Sequence, residues 1–205
     1  MRPALVILAA GASARLGRCK ALVPLPSTEG DERTPIELLA AAGRAFDGAI
    51  PLVVTGADHD AIASSGAVER AGAEILENES WASGRTGGLL LAAARRPGLD
   101  LCVAPVDVPL VPRSVFDALL RAWIERGSPG SGWLAPSHDS NFGHPLVLGR
   151  DLLRELPAAA APGTPLRTLR AHGKPVFTVE VASSEILDDL DTPEDLERLR
   201  LRRPI

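Results

Sequence analysis

The chain has 205 residues, of which 45% are hydrophobic and 23% charged, and its formal net charge is −4. This length and composition are typical of one globular domain, so we expect a single domain over residues 1–205. Nucleic acid is excluded as an expected partner, because nucleic-acid binders usually present a basic face and aromatic stacking platforms, whereas aromatic residues make up only 3% of this chain.

The cysteine content and the apolar runs bear on the expected cellular compartment and on membrane association. Cys19 and Cys102 form neither a disulfide framework nor a CxxC pair, so we expect a reducing, cytoplasmic environment. No apolar stretch approaches the roughly 20 residues of a membrane span, and we expect no membrane partner. Residues 4–14 superficially resemble a signal peptide, but the apolar run is short and basic residues follow at once. We interpret it as a buried strand that enters a loop.

Apolar runs of strand length alternate with helical patterns along the chain, which predicts an α/β layer fold with a mainly parallel sheet. Residues 5–8 form a continuous apolar run before Gly11, as in a strand buried on both faces. Thr34 then begins a capping box with proline at the first helical position. Further strands are predicted at residues 50–54, 74–76, 99–103, 132–136, 145–148 and 175–181, and further helices at 60–65, 86–95, 115–127, 151–156, 166–171 and 192–202. The polar stretch 26–33 is predicted to be a mobile loop.

The most informative segment follows the first strand, where residues 8–20 read LAAGASARLGRCK. A loop at the carboxyl end of a parallel strand lies where open α/β sheets bind ligands. Small residues let backbone N–H groups approach phosphate oxygens, and Arg15 and Lys20 add positive charge. The segment is not a Walker loop, since Ala21 follows Lys20, and it lacks the dinucleotide fingerprint GxGxxG. From these residues alone, a phosphate site and a glycine-rich turn with solvated cations both remain open.

This segment resembles the motif LAAGxSxRxGxxK of the nucleotidyltransferases that act on molybdopterin and related acceptors, the MobA-like and MocA-like family. The resemblance implies a three-layer, Rossmann-like nucleotide-diphospho-sugar transferase fold. It also implies a nucleotide site formed by Leu8, Ala9, Ala10, Gly11, Arg15 and Lys20. In that site residues 9–11 would line the base and ribose, and Arg15 and Lys20 would hold the triphosphate. Cys19 departs from the pattern, because the family usually has proline or aspartate before the lysine.

Two acidic segments are candidates for a metal site. Asp107 follows a predicted buried strand between two prolines, and it either caps the loop or holds Mg²⁺, which prefers oxygen ligands. Its segment resembles the family's DxP motif, which implies a metal ligand. The stretch 188–195 resembles the family's closing DxDTPED motif, in which Thr192 caps a helix. The resemblance implies that Asp191, with Asp189 as the second choice, joins Asp107 in binding Mg²⁺.

Two segments resemble family elements on the acceptor side. The stretch 78–86 is similar to the motif N-x-x-W/Y-x-x-G, and 141–145 is similar to a GHP element. The acceptor residues implied are Asn78, Gly84, Thr86, Gly143 and His144. Gly84 before a helix would leave backbone donors for an anion. The alternative for the first segment is an ordinary helix entry in which Trp81 serves packing.

The resemblance implies a Mg²⁺-dependent nucleotidyltransferase that moves a nucleoside monophosphate from a triphosphate to a small phosphorylated acceptor, with Lys20, Arg15 and Asp107 as catalytic residues. Family members that use CTP tend to read Ala-Ala-Gly in the first loop, so Ala10 favours CTP over GTP. The alternatives are a guanylyl- or sugar-phosphate nucleotidyltransferase on the same fold, and a catalytically silent nucleotide-binding module.

Overall fold

A computed structural model describes residues 2–159 and 176–202. The strands are β1 (Ala4–Ala9), β2 (Leu25–Pro26), β3 (Glu32–Arg33), β4 (Leu52–Thr55), β5 (Glu74–Glu77), β6 (Leu101–Pro105), β7 (Trp133–His138), β8 (Asn141–Phe142), β9 (Leu146–Leu148) and β10 (Val176–Glu180). The main sheet has the order β10-β7-β9-β6-β1-β4-β5, with β8 paired to β7, and β2 and β3 form a separate two-stranded sheet.

The predicted mainly parallel sheet is confirmed. Strand β1 pairs in parallel with β4 and β6, β4 pairs in parallel with β5, and β10 pairs in parallel with β7. Only the short strand β9 runs antiparallel inside this order, between β6 and β7. The carboxyl ends of β1, β4, β5 and β6 therefore share one edge of the sheet, where ligands of open α/β sheets bind.

The helices are α1 (Pro35–Ala42), α2 (His59–Ser64), α3 (Ala67–Arg70), α4 (Arg85–Arg95), α5 (Arg113–Glu125), α6 (Arg150–Ala159) and α7 (Pro193–Arg200), and four 3-10 turns are at Lys20–Leu22, Gly43–Ala45, Trp81–Ser83 and Ser184–Leu187. Alternate residues of the central strands point to opposite faces. On one face they pack against α1, α2, α3 and α5, and on the other against α4 and α6. This three-layer arrangement confirms the predicted fold class. None of the described helices has the length and apolar character needed to cross a membrane.

The capping box predicted at Thr34 is present, and Thr192, predicted only to cap a helix, forms a second one. The Thr34 hydroxyl accepts a hydrogen bond from the Glu37 N–H, and the Glu37 carboxylate accepts one from the Thr34 N–H. Thr192 and Asp195 make the same reciprocal pair at α7. Each box satisfies backbone donors that a helix start would otherwise leave without partners.

The structure differs from the predicted elements at residues 26–33 and in two short elements. Residues 26–33, predicted as a mobile loop, close the β2–β3 hairpin, in which the Ser27 N–H donates to the Asp31 carbonyl at 2.9 Å. The short elements α3 and β8 were not predicted, because so few residues show no periodicity. The helix predicted at 166–171 lies outside the described residues.

A small apolar cluster joins the two ends of the chain. Its buried members are Leu16, Val23, Leu25, Leu190, Leu196 and Leu199. Leu16 belongs to the loop after β1, and Leu196 and Leu199 form the buried face of α7. Since full burial of one leucine is worth about 1.5–3 kcal/mol, this cluster holds the C-terminal segment against the first loop.

Candidate active site

The loop after β1 is closed upon Ser13. The Ser13 carbonyl accepts hydrogen bonds from the N–H groups of Leu16 and Gly17, both at 3.1 Å, and its hydroxyl accepts one from the Lys20 N–H at 3.1 Å. Ser13 and Gly17 adopt left-handed backbone conformations, with φ of 48° and 72°. These bonds fix the positions of Arg15 and Lys20 relative to the strand end. Ser13 has no place in the predicted site, although it lies in the same motif.

The loop borders a cavity of about 350 Å³ at the carboxyl edge of the sheet. The cavity is lined by Leu8, Ala10, Gly11, Ser13, Ala14, Arg15, Lys20, Asn78, Trp81, Ala82, Gly84, Gly88, Pro105, Val106, Asp107 and Asp191. Its volume lies within the usual range for small-molecule sites, roughly 300–1,000 Å³. Residues from the start, the middle and the end of the chain meet here.

Asp191 contacts both cations of the first loop. One of its oxygens accepts a hydrogen bond from Lys20 Nζ at 2.7 Å, and the other accepts one from the Arg15 guanidinium at 2.7 Å. The hydrogen bond from Lys20, with the charges of Lys20 and Arg15, lowers the pKa of Asp191 below its ordinary value of 3.8. Asp191 is therefore ionised at neutral pH, and the three side chains form one charged group on the cavity wall.

Asp107 lies on the same cavity, directly after β6, and its side chain is buried. The Asp107 carbonyl accepts a hydrogen bond from the Leu190 N–H at 2.7 Å, so the segments that carry Asp107 and Asp191 are in direct contact. Two carboxylates on one cavity provide the oxygen ligands that Mg²⁺ prefers. Asp189 is exposed and does not line the cavity, which favours Asp191 as the second carboxylate.

Two of the predicted acceptor residues line the cavity. Asn78 is 2% exposed, and its Nδ2 has no hydrogen-bond partner within the part of the chain that the structure describes. Gly84 precedes α4 with a φ of 113°. Trp81 and Gly88 also line the cavity, although neither was predicted as a site residue. Gly88 lies in the first turns of α4, four residues after Gly84, and this short separation is the signal that could have found it.

Other predicted residues lie outside the cavity. The side chain of Ala9 is 3% exposed and packs in the core, and Thr86 is buried in α4. Gly143 and His144 precede β9 at the same edge of the sheet, where the His144 N–H donates to the Ile186 carbonyl at 3.1 Å. A Cβ on Gly143 would lie 2.4 Å from that oxygen, so the glycine permits a close approach of two backbone segments. The functional roles of these residues stay predictions.

Cys19 stands where the family pattern has another residue, and its chemistry argues against a nucleophile. Burial, with the nearby charge of Asp58, raises the pKa of its thiol to about 11. The thiol is therefore protonated at neutral pH, whereas the thiolate is the reactive form. Cys19 is therefore a poor candidate for a nucleophile at neutral pH.

One further group could hold a metal within the described part of the chain. His138, Asp139 and Glu180 bring ligand atoms within 4.8 Å of one another. The Glu180 carboxylate accepts hydrogen bonds from the Ser137 hydroxyl and the Asp139 N–H, which accounts for its position without an ion. None of the three lines the cavity.

Comparison with solved structures shows the fold. The Mycobacterium tuberculosis protein Rv0371c is 22% identical, with a TM-score of 0.76 over 99% of this chain and 100% of that chain, and another structure of it is a complex with manganese. A nucleotidyl transferase from Methanothermobacter thermautotrophicus is 22% identical over 96% and 95%, with a TM-score of 0.75. Molybdopterin-guanine dinucleotide biosynthesis protein A from Archaeoglobus fulgidus is 21% identical over 96% of each chain, with a TM-score of 0.69.

No curated protein sequence matches the chain significantly. The family model of the MobA-like NTP transferase domain matches residues 5–176, which include the first loop, Asp107 and the two segments predicted to face an acceptor. The chain belongs to the MobA-like NTP transferase domain family of nucleotidyltransferases.

Proposed function

We propose that this protein transfers a nucleoside monophosphate from a nucleoside triphosphate, with CTP preferred over GTP, to a phosphorylated acceptor, with molybdopterin as the first candidate. Pyrophosphate is the second product. The proposal combines membership of the family with the contents of the cavity.

One observation carries the proposal. Arg15 and Lys20 meet Asp107 and Asp191 on a single cavity, although these four residues come from opposite ends and the middle of the chain. Two cations suit the phosphates of a nucleotide, and two carboxylates suit a divalent metal bound to those phosphates. A neutral ligand would need neither pair, and a cationic ligand would be repelled by Arg15 and Lys20.

The reaction requires no covalent enzyme intermediate. A phosphate oxygen of the acceptor attacks the α-phosphorus, and the bond to the bridging oxygen of the β-phosphate breaks as pyrophosphate leaves. Lys20 and Arg15 stabilise the negative charge that develops on the triphosphate, and the loop that holds them positions the α-phosphorus. Phosphoryl-type transfer depends mainly on such positioning and charge stabilisation.

Mg²⁺ is the proposed cofactor, and Asp107 and Asp191 would hold it. The fit rests on the two carboxylates that line the cavity and on the hydrogen bond between Leu190 and Asp107 that joins their segments. The bound metal would act as a Lewis acid at the phosphate oxygens. The manganese complex of Rv0371c supports a divalent metal for this fold.

The preference for CTP rests on Ala10, which lines the cavity. Family members that use GTP tend to have glycine at this position, so the methyl group of Ala10 favours the smaller pyrimidine base. This residue is the sequence feature that separates cytidylyl from guanylyl transfer within the proposal.

Product analysis by mass spectrometry tests the proposal. The protein is incubated with Mg²⁺, with CTP or GTP, and with molybdopterin or a set of sugar phosphates, and pyrophosphate release is measured in parallel. We expect a cytidylylated acceptor whose formation stops in EDTA. Formation of guanylylated or sugar-linked products would instead identify a guanylyl- or sugar-phosphate nucleotidyltransferase on the same fold. Triphosphate binding without any transfer would indicate a silent nucleotide-binding module.

A further inference from the structure

The contacts of Asp191 conflict with a simple role as a metal ligand. Both carboxylate oxygens are already engaged, one by Lys20 and the other by Arg15, each at 2.7 Å. A metal ion that approaches this carboxylate meets two positive charges before it meets a ligand. The arrangement therefore weakens metal binding as long as both cations remain on Asp191.

The two cations are held to different degrees. The side chain of Lys20 is 13% exposed, whereas the Arg15 side chain is 71% exposed. An exposed ion pair contributes little and exchanges partners easily. Arg15 can therefore leave Asp191 first, while Lys20 needs a stronger competitor for its charge.

A triphosphate is such a competitor. Its charge of about −4 exceeds that of one carboxylate, and phosphate oxygens form charge-assisted hydrogen bonds with both side chains. Asp191 and the proposed triphosphate site share the same cavity wall, so Arg15 and Lys20 can turn from one anion to the other without a change of fold.

We infer that Asp191 exchanges partners during binding: it holds Arg15 and Lys20 in the empty cavity and gives them up to the triphosphate, which frees Asp191 for the metal. This inference rests on the proposed function and adds an order to it. The nucleotide, alone or with a metal already bound to its phosphates, enters first, and a free metal ion binds the empty protein only weakly. Asp191 is thus a positioning residue before it is a ligand.

The sharpest test measures triphosphate binding without metal. Asp191→Asn keeps the size of the side chain but removes the anion that competes for Arg15 and Lys20. We expect this variant to bind CTP in EDTA roughly tenfold more tightly than the wild type, the order of magnitude for loss of one nearby competing charge in a partly exposed site. Calorimetry gives the dissociation constants, with GTP measured in parallel.

Glu194→Gln is the matched control. Glu194 is exposed in the first turn of α7, three residues from Asp191, and does not line the cavity. The Glu194→Gln variant also loses one negative charge near the cavity, so it measures the long-range effect of that charge on CTP binding alone. We expect its CTP affinity in EDTA to stay at the wild-type value. Equal affinities for wild type and Asp191→Asn, or an equal gain in both variants, would overturn the inference. Thermal unfolding confirms that each variant is folded.

A second measurement follows the metal. Electron paramagnetic resonance of free Mn²⁺ reports ion binding to the nucleotide-free protein. We expect weak binding by the wild type and roughly tenfold tighter binding by Lys20→Gln, which removes one of the two cations on Asp191. Arg18→Gln, on the same loop but outside the cavity, should bind Mn²⁺ as the wild type does. Tight, stoichiometric Mn²⁺ binding by the wild type without nucleotide would contradict the proposed order.

The two proposals fail in different ways. If the wild type binds CTP or GTP and transfers the nucleotide, but Asp191→Asn gains no affinity in EDTA, the exchange of partners is wrong and the transferase assignment stands. If neither triphosphate binds to any of the variants, the proposed function is wrong, and the inference falls with it.

Discussion

Gly56 provides a direct test of how the first loop is supported. It follows β4 and lies against the loop, where the Ala57 N–H donates to the Ala10 carbonyl at 3.2 Å. A Cβ built on Gly56 would lie 2.5 Å from the Trp81 Cβ and 2.6 Å from the Ala10 carbonyl oxygen. Ordinary contact begins at 3.4 Å. Gly56→Ala therefore forces the Ala10 carbonyl to move by roughly 0.8 Å, because the closely packed backbone has no empty space for the added methyl group.

The effect of this substitution can be estimated on stability and on activity. Overpacking of this kind costs about 1–3 kcal/mol. Since 1 kcal/mol lowers the Tm of a chain of this size by about 2–4 °C, we expect a decrease of roughly 2–12 °C. A displacement near 1 Å at a reacting centre can cost about 100-fold in rate, so kcat/KM for the triphosphate should fall by roughly 10- to 100-fold.

Calorimetry and a continuous pyrophosphate-release assay measure the two effects. Gly87→Ala is the matched control, because the same added methyl group there meets only ordinary contacts at 3.7 Å. Alanine also favours the helix that contains Gly87, so the control should unfold at an unchanged or higher temperature. A Gly56→Ala protein with wild-type Tm and kcat/KM would refute the reasoning about the close approach.

Three further predictions concern the site and the start of α7. Lys20→Ala and Asp107→Ala should each lower kcat by roughly 100-fold or more while the thermal unfolding curve still shows a folded protein, since the first removes a positive charge that stabilises the transition state and the second removes a proposed ligand of the metal; near-normal kcat in either variant would contradict the assignment. Ala10→Gly should lower the ratio of kcat/KM for CTP to that for GTP by about tenfold, within the range for one methyl group in a pocket, and an unchanged ratio would remove Ala10 from base selection. The hydrogen bond from Arg198, with others from the backbone N–H groups of residues 191 and 192, lowers the pKa of Asp195 from 3.8 to about 2. Because a lowered folded-state pKa gives stability that is present above the unfolded-state value, this contribution should be lost as the pH falls from about 4 to about 2. Urea unfolding of the wild type and Asp195→Asn over that range should show a smaller pH dependence for the variant, and parallel curves would contradict this role.

The sequence predicts the fold well where a pattern reflects burial. The central strands are continuous apolar runs because helices cover both faces of the sheet, and the capping boxes of Thr34 and Thr192 mark true helix starts. The β2–β3 hairpin was missed, because its two-residue strands are polar on one side and too short for a period. Leu25 of this hairpin packs in the apolar cluster with leucines near the other end of the chain, and a local sequence pattern does not show such a contact.

The candidate site was predicted less completely. Motifs located Arg15, Lys20, Asp107 and Asp191, since each is a charged residue in a characteristic segment. They could not show that Asp191 is bonded to both cations, because that contact depends on packing between residues 171 or more positions apart. The motifs also could not show that Ala9 and the GHP element lie outside the lining of the cavity. Motif position does not reveal which way a side chain points, and Ala9 packs into the core.

The contact between the first loop and Asp191 also has a consequence for synthesis. Lys20 and Asp191 are 171 residues apart, and Arg15 and Asp191 are 176 residues apart. At a synthesis rate of about 5–20 residues per second, the first loop is made several seconds before Asp191. A growing chain thus carries two cations without their acidic partner until α7 arrives. Because residues 190–199 supply both this carboxylate and the leucines that hold it in place, we expect a chain that stops before residue 190 to lack the charged group of Arg15, Lys20 and Asp191.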